Sequence, residues 1–79
     1  MKSLRSSDHL HFIALLVAAR EKAGLTQQQL ADRLDRHQSF VAKYEGGERR
    51  IDVIEFLAIA RALEADAARL IRELMTRQR

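Results

Sequence analysis

The chain has 79 residues, too few for more than one domain, because a domain usually takes roughly 100–200 residues. It carries 14 Lys and Arg against 11 Asp and Glu, a net charge of +3, and 32% charged residues beside 47% hydrophobic ones. This is the balance of a folded soluble domain rather than a disordered tail. The absence of cysteine excludes disulfides, zinc ribbons and cysteine nucleophiles. The longest apolar run, from Phe12 to Ala19, is far shorter than the ~20 residues of a spanning helix, so we predict no membrane segment.

Five helices and no strand are predicted, because proline is absent, glycine is scarce and no stretch alternates apolar with polar residues. The first helix is predicted to start near Asp8 as its cap and to end at Ala23, where Gly24 stops it. The second starts at the cap Thr26, and Gln29 completes a capping box.

The remaining three helices follow the same signals. The third runs from about Gln38 to Glu45, the fourth is capped by Asp52 with Glu55 at the capping-box position, and the fifth is capped by Asp66. Helical spacing predicts that the inward face of the fourth is Val53, Phe56, Leu57, Ala60 and Leu63. We therefore predict a single domain over residues 1–79, with a flexible tail at 1–7 and a frayed end at 75–79.

Only a short turn, formed by Asp35, Arg36 and His37, fits between the second and third helices. Two short helices joined so tightly are the signature of a helix-turn-helix, here residues 26–45. Ala31 falls where the two helices must cross closely, which requires a small side chain. The residues predicted to fill the junction are Leu30, Leu34, Val41 and Tyr44.

The segment Thr26–Glu45, TQQQLADRLDRHQSFVAKYE, resembles the helix-turn-helix of the phage-repressor and Cro-like (XRE) DNA-binding family. Its flanks agree, with AREKAGLTQ before it and GGERR after it, and the likeness covers roughly Phe12 to Ile71. The resemblance implies an all-α, compact five-helix, lambda-repressor-like domain. It also implies a sequence-specific double-stranded DNA-binding transcriptional regulator that binds a (pseudo)palindromic operator as a homodimer. Such a protein would need no cofactor and would act in the cytoplasm, at the nucleoid.

The expected base contacts lie on the outward face of the third helix and are Gln38, Ser39 and Lys43. In helix-turn-helix docking, the N-terminal part of this helix enters the major groove. Glutamine pairs with adenine through two hydrogen bonds, serine pairs with either kind of edge, and lysine favours guanine. The resemblance therefore makes these three residues candidates for base recognition.

Contacts to the DNA backbone are expected from Gln27, Arg49 and Arg50. Gln27 matches a DNA-contacting position of the family and opens the second helix, whose free amides and dipole attract a phosphate. Arg49 and Arg50 follow a Gly-Gly turn, where a loop could lie along the backbone. Arg20 and Glu45 match a structural ion pair of the family that links the first helix to the end of the third.

Four positions depart from the family pattern. Asp35 stands where Gly is usual, and Asp tolerates the left-handed conformation, so the turn should be kept. Arg36 stands at a usually apolar position, which predicts a loosened or repositioned turn. His37 replaces a common Ser or Thr and is expected to cap poorly. Glu64 replaces a Gly between the fourth and fifth helices.

No catalytic or metal site is predicted. His9 and His11 are two residues apart and point to different sides of a helix, so with His37 they form no metal site and are expected at the surface. No serine stands out as a nucleophile, and no Gly-rich phosphate loop occurs. Enzymatic activity is therefore not expected.

The chain has more apolar residues than the core of such a domain needs. Ile13 and Val17 lie beside the inward stripe of the first helix, and Ile54 on the fourth is similarly unexpected. Such residues either mark an association surface or are covered by the fifth helix or the tail, and the sequence leaves both open. A candidate dimer seam on the fifth helix is Leu70, Ile71 and Leu74. The alternative function is an antitoxin-type protein that binds a toxin partner and autoregulates its own promoter.

Overall fold

The computed structural model describes residues 6–77, and this part of the chain is helical with no strand. The helices are α1 (Ser7–Lys22), α2 (Gln27–Leu34), α3 (Gln38–Glu45), α4 (Val53–Leu63) and α5 (Ala67–Arg77). They confirm the predicted all-α, five-helix architecture with a helix-turn-helix at α2 and α3. Residues 1–5 of the predicted tail and residues 78 and 79 of the predicted frayed end lie outside the described residues.

α1 begins earlier than the sequence indicated. Ser6 is its N-cap, with extended backbone, and the Ser6 Oγ accepts a hydrogen bond from the His9 amide at 3.2 Å. Asp8 lies within the first turn, where its charge suits the positive end of the helix dipole. The prediction of a cap at Asp8 was wrong because the Ser6 hydroxyl, two residues earlier, already accepts from an amide of the first turn. Residue 7, assigned to the tail, is already helical.

The predicted caps of the later helices are confirmed. Thr26 Oγ1 accepts from the Gln29 amide at 3.1 Å, and the Gln29 side chain accepts from the Thr26 amide at 2.9 Å. Asp52 and Glu55 form the same reciprocal pair at 2.7 and 2.9 Å. Asp66 accepts from an amide of the first turn of α5 at 3.1 Å. Local polar spacing thus sets where α2, α4 and α5 begin.

The turn between α2 and α3 is tight. Asp35 has φ 54° and ψ 43°, the predicted left-handed conformation, and Glu64 after α4 adopts the same one with φ 55°. The Arg36 amide donates to the Ala31 carbonyl at 3.0 Å, so the predicted loosening at Arg36 is wrong. The Arg36 guanidinium lies 4.0 Å above the Phe40 ring and takes the place of an apolar side chain there.

His37 caps α3, although the sequence predicted a poor cap. Its backbone is extended, and its ring Nδ1 accepts a hydrogen bond from the Ser39 amide at 3.1 Å. An unprotonated imidazole nitrogen is an acceptor, so it does what a Ser or Thr hydroxyl does at this position. α3 therefore starts at Gln38, as predicted.

One hydrophobic core is built from the first four helices. Leu30, Val41 and Tyr44 are fully buried, as predicted for the α2–α3 junction, and Leu34 packs partly buried against them. Within residues 6–77, the buried hydrophobic residues are Ile13, Leu16, Leu30, Ala31, Phe40, Val41, Tyr44, Phe56, Ile59, Ala60 and Leu63. The sequence interpretation missed Phe40 and Ile59 as members of this core.

Of the three surplus apolar residues seen in the sequence, only Ile54, at the start of α4, is exposed. Ile13 is 5% exposed and Val17 is partly buried, so these α1 residues belong to the core rather than to an outer surface. Val53, predicted to face inward, is 70% exposed. It is the first residue of α4, and the buried face of this helix is formed by Phe56, Ile59, Ala60 and Leu63. Ile54 is 74% exposed.

His9 is buried, with 7% of the residue exposed, so the expected surface position was wrong. It shares one face of α1 with Ile13 and Leu16, four and seven residues further on, and both of these are buried. Burial, together with the charge of Arg50, lowers the pKa of His9.

α5 is the most exposed helix and contains no buried residue. Leu70 packs partly against the core, whereas Ile71 and Met75 are 39% and 60% exposed. The helix continues to Arg77, past residue 75 where fraying was expected to begin.

Replacing Ala31 with leucine is expected to destabilise the fold, because Ala31 is fully buried where α2 packs on α3. Added bulk in a packed core costs about 1–3 kcal/mol or more. The matched control is Gln28→Ala on the same helix, where the exposed side chain bonds Asp32 at 2.8 Å. Thermal denaturation should give a lower Tm for Ala31→Leu and a nearly unchanged Tm for the control. Equal Tm values would show that the helices do not cross at Ala31.

Candidate nucleic-acid interface

The outward face of α3 carries the residues expected to contact bases. Gln38 and Ser39, in its first turn, are partly exposed, and Lys43 one turn further along is exposed. The opposite face of the same helix is buried in the core. The fold therefore presents these three side chains together on one surface.

A chain of side-chain hydrogen bonds joins three helices at this surface. On α1, Arg20 donates through Nε and Nη2 to the Glu45 carboxylate at 2.8 and 3.1 Å. Gln27 Nε2 donates to Glu45 Oε1 at 2.9 Å. Gln38 Nε2 donates to Gln27 Oε1 at 2.8 Å. Gln27 and Gln38, which the sequence assigned to different parts of the DNA, are thus in direct contact.

The ion pair expected between Arg20 and Glu45 is present and largely buried, with side chains 13% and 6% exposed. Arg20 also donates through Nη1 to the Leu25 carbonyl at 2.8 Å. The hydrogen bonds to Glu45 raise the pKa of Arg20. These contacts tie α1 and the segment before α2 to the end of α3. Removing one partner of a buried ion pair costs roughly 3–5 kcal/mol of folding stability.

Ser39 is coupled to the cap of α3. Its Oγ lies 3.0 Å from His37 Nδ1, the nitrogen that also accepts from the Ser39 amide. Because Nδ1 accepts, a neutral His37 ring carries its proton on Nε2. The exposed His37 therefore offers an N–H donor beside the head of α3, a feature that the sequence interpretation missed.

Arg49 lies in a different cluster. Its guanidinium donates to both Glu55 oxygens at 3.1 and 2.9 Å and to the Arg50 carbonyl at 2.9 Å. Its Cζ is 4.8 Å from the centre of the Phe40 ring, which the Arg36 guanidinium also contacts. Arg50 is exposed in the same loop. Of the two arginines expected on the DNA backbone, Arg49 therefore holds the loop between α3 and α4.

Glu55 is the centre of that cluster, although the sequence indicated only its capping role. It accepts from the Asp52 amide at 2.9 Å, pairs with Arg49 at 2.9 Å and lies 3.7 Å from the Arg36 guanidinium. The hydrogen bonds from Arg49, then the one from Asp52, lower the pKa of Glu55. One feature of the sequence could have pointed to this cluster. The aromatic residue Phe40 has an arginine, Arg36, four positions before it.

Residues 6–77 contain neither a metal-binding cluster nor a membrane-spanning helix. No group of three or more His, Asp or Glu side chains in this stretch is arranged to hold a metal ion. The helices of the same stretch lack the combined length and apolar character that crossing a bilayer requires. The site instead offers amide, hydroxyl and ammonium groups on a surface helix, which are groups that hydrogen-bond to bases and phosphates.

Comparison with known proteins identifies relatives across nearly the whole chain. Residues 11–74 match the family model described as Helix-turn-helix domain. An XRE-family like protein from Pseudomonas syringae pv. tomato str. DC3000 is 42% identical, with 92% of this chain and 89% of that chain covered and a TM-score of 0.88. The restriction-modification controller protein C.AhdI from Aeromonas hydrophila is 30% identical, with 77% and 88% covered and a TM-score of 0.71. No curated protein sequence matches the chain.

A third structure shares the fold at 18% identity. It is the restriction-modification controller protein C.Esp1396I, a tetramer in complex with its natural 35 base-pair operator, with a TM-score of 0.80 over 91% of this chain and 95% of that one. Family and fold are those of DNA-binding transcription regulators, not of enzymes. The chain belongs to the helix-turn-helix domain family and, within it, to the XRE type, which confirms the resemblance seen in the sequence.

Acid is expected to weaken the Glu55 cluster. The folded-state pKa of Glu55 lies below its ordinary value of 4.5, so its stabilising effect is complete above about pH 5 and is lost as the pH falls through the folded-state pKa. The free energy of unfolding, measured in urea at several pH values, should be lower for Glu55→Gln than for the wild type at neutral pH. The difference should narrow below about pH 4.5.

The control for this titration is Glu48→Gln, at an exposed position in the same loop. Exposed charges contribute little, so this variant should follow the wild type at every pH. The free energy of unfolding of Glu55→Gln could instead stay below that of the wild type by the same amount from neutral to acidic pH. This result would show that packing, rather than the charge of Glu55, holds the cluster.

Proposed function

We propose that the protein is a sequence-specific double-stranded DNA-binding transcriptional regulator that binds a (pseudo)palindromic operator as a homodimer. The observation that carries the proposal is the position of Gln38, partly exposed at the head of α3 with its amide bonded to Gln27 at the head of α2. An amide placed in this way supports hydrogen bonding to a base edge when α3 enters the major groove. We place the protein in the cytoplasm, at the nucleoid, where operator DNA lies.

Gln38, Ser39 and Lys43 are the proposed base contacts. Their common exposure on one face of α3 supports the assignment. The Gln38 amide suits adenine, the Lys43 ammonium suits guanine, and the Ser39 hydroxyl suits either a donor or an acceptor. His37 extends this set as a donor to a nearby phosphate, because its Nδ1 is used in capping and its Nε2–H remains.

The proposed contacts to the DNA backbone are Gln27, Arg49 and Arg50. They contribute unequally to the attraction between the protein and DNA. Gln27 stands at the N-terminus of α2, where amides and the helix dipole attract a phosphate. Arg49 is bound to Glu55 and has only its remaining donors for DNA. Arg50 is the more exposed of the two arginines, and on that ground we assign more of the electrostatic attraction to DNA phosphates to it.

A homodimer is proposed because a two-fold operator requires two copies of α3, with half-sites ~34 Å apart. The exposed residues Ile71 and Met75, beside Leu70 and Leu74, support α5 as the contact surface. The operator-bound tetramer of C.Esp1396I supports multimeric binding by a protein of this fold.

The second candidate is an antitoxin-type protein that binds a toxin partner and autoregulates its own promoter. Val53 and Ile54, 70% and 74% exposed, favour it because exposed apolar patches mark contact surfaces. It differs from the first candidate in one respect. It has a protein partner, which binds at the start of α4. Ile54→Ser would then abolish the toxin complex and leave operator affinity unchanged.

Selection of bound sequences from a random duplex pool tests the proposal. We expect enrichment of an inverted repeat, because two α3 helices related by two-fold symmetry contact equivalent half-sites. Affinity for the selected duplex should fall steeply with added salt, because Lys43 and Arg50 displace counterions from phosphates. A pool that enriches no sequence, or an affinity that is flat with salt, would contradict the proposal.

Comparison of Gln38→Ala with Arg50→Ala separates base contacts from backbone contacts. Gln38→Ala should lose about 1–3 kcal/mol on the selected site and relax preference at one base pair per half-site. Arg50→Ala should weaken binding to all duplexes alike and reduce the salt slope by roughly one. Binding to a panel of single-base operator variants, with Tm as the check on folding, measures both. An unaltered preference profile for Gln38→Ala would leave Ser39 and Lys43 as the remaining base contacts.

A further inference from the structure

The hydroxyl of Ser39 is bonded to the residue that caps α3. We propose that His37 is a positioning residue that makes the Ser39 hydroxyl a hydrogen-bond acceptor toward DNA, so that Ser39 selects bases that carry an amino group. The inference rests on the proposed base contact of Ser39 and adds the hydrogen-bonding polarity of that contact.

The polarity starts at the ring of His37. Its Nδ1 accepts a hydrogen bond from the Ser39 amide at 3.1 Å, so this nitrogen carries a lone pair and no proton. The Ser39 Oγ lies 3.0 Å from the same nitrogen. An oxygen that turned its own lone pair toward Nδ1 would leave two acceptors facing each other with no proton between them, which is unfavourable. The Ser39 hydroxyl therefore points its proton at His37.

This bond changes what Ser39 offers to DNA. A free serine hydroxyl rotates and bonds to a donor or to an acceptor equally well. The hydroxyl proton of Ser39 is already used within the protein, and the lone pairs of its Oγ remain. Donation to a base would first require the bond to Nδ1 to break. Ser39, partly exposed on the outward face of α3, therefore offers an acceptor.

An acceptor distinguishes bases by their exocyclic groups. In the major groove, adenine presents the N6 amino group and cytosine the N4 amino group, whereas guanine O6 and thymine O4 are acceptors. The Ser39 Oγ accepts from the first two and meets an unfavourable oxygen on the other two. The four base pairs at this position thus fall into two classes, read along one strand. A·T and C·G form one class, and T·A and G·C form the other.

The turn before α3 holds His37 in place. His37 has extended backbone and follows Asp35, in the left-handed conformation, and Arg36, whose amide donates to the Ala31 carbonyl at 3.0 Å. Turning the ring over would replace Nδ1 with a carbon and lose both bonds to Ser39. A Ser or Thr cap could donate as well as accept and would leave the next hydroxyl free to turn. The imidazole nitrogen only accepts here.

The test compares His37→Gly with His37→Asp. Both changes remove the ring and its Nε2–H, so a phosphate contact of His37 is lost equally in the two variants. Glycine is tolerated as a helix cap but has no side-chain acceptor, whereas the aspartate carboxylate caps well and only accepts hydrogen bonds. His37→Asp therefore restores the acceptor that His37→Gly removes.

Each full-length protein is titrated with four duplexes that carry the four base pairs at one position. That position is the base pair at which Ser39→Ala relaxes the preference of the wild type. The titrations are run at about pH 8, above the range in which histidine ordinarily takes up a proton. The melting temperature of each variant is measured as the check on folding.

The wild type and His37→Asp are expected to bind the two duplexes with an amino group facing Ser39 about fivefold more tightly than the other two, the effect of one hydrogen bond. His37→Gly is expected to lower this ratio below about twofold, with a Tm close to that of the wild type. The negative charge of His37→Asp should weaken binding to all four duplexes alike and leave the ratio unchanged.

Three results would overturn the positioning role. The first is a wild type that groups the four duplexes in any other way, a result that needs no variant. The second is a ratio that His37→Gly retains, which would show that Ser39 sets its polarity unaided. The third is a ratio that His37→Asp fails to restore, which would show that the acceptor at residue 37 is not the cause.

The experiment also distinguishes this inference from the proposed function. If Ser39→Ala relaxes preference at one base pair but the two classes are absent, Ser39 is a base contact and only the inference is wrong. If Ser39→Ala leaves the preference unchanged at every base pair, Ser39 is no base contact, and the inference is lost together with that part of the proposed function. The contacts of Gln38 and Lys43 are measured separately and are unaffected by either result.

Discussion

The ion pair between Arg20 and Glu45 is the interaction on which the rest of the site depends. Both side chains are largely withdrawn from solvent, and neither charge can lose its partner without a large penalty. The pair therefore fixes the C-terminal end of α3 against α1. Because the same carboxylate also holds Gln27, and Gln27 holds Gln38, the N-terminal end of α3 is tied to it as well. One buried carboxylate thus restrains both ends of the helix that carries the proposed base contacts.

A second carboxylate, Glu55, organises the other polar cluster of the motif. It joins the cap of α4 to Arg49 in the loop and to Arg36 in the turn, and both guanidinium groups lie against Phe40. The Phe40 ring and the two guanidinium groups therefore pack together where apolar side chains alone would otherwise be expected. The two clusters together hold the backbone on either side of α3 and leave its outward face to Gln38, Ser39 and Lys43.

Most of the secondary structure followed from local signals in the sequence, and the class of protein followed from the resemblance of residues 26–45 and their flanks to a known family. The errors share one physical cause. A sequence pattern indicates which structural roles a residue can take, but not which neighbours it contacts in the fold. Ser6 and Asp8 both suit a cap, and only the backbone conformation chose Ser6. Helical spacing placed Val53 on the inward face, but its side chain is exposed and the buried face of α4 begins at Phe56. His9 looked polar, yet it shares a face with buried Ile13.

The sequence by itself determined the five helices, two capping boxes, the left-handed turn at Asp35 and the outward position of the base-contact candidates. These features depend on contacts within one helical turn, which the order of residues specifies directly. Tertiary structure decided that Gln27 meets Gln38, 11 residues away, and Glu45, 18 residues away. Many polar side chains could form such pairs, and the choice among them is made by the angle and distance between packed helices, which core packing sets and no local spacing encodes.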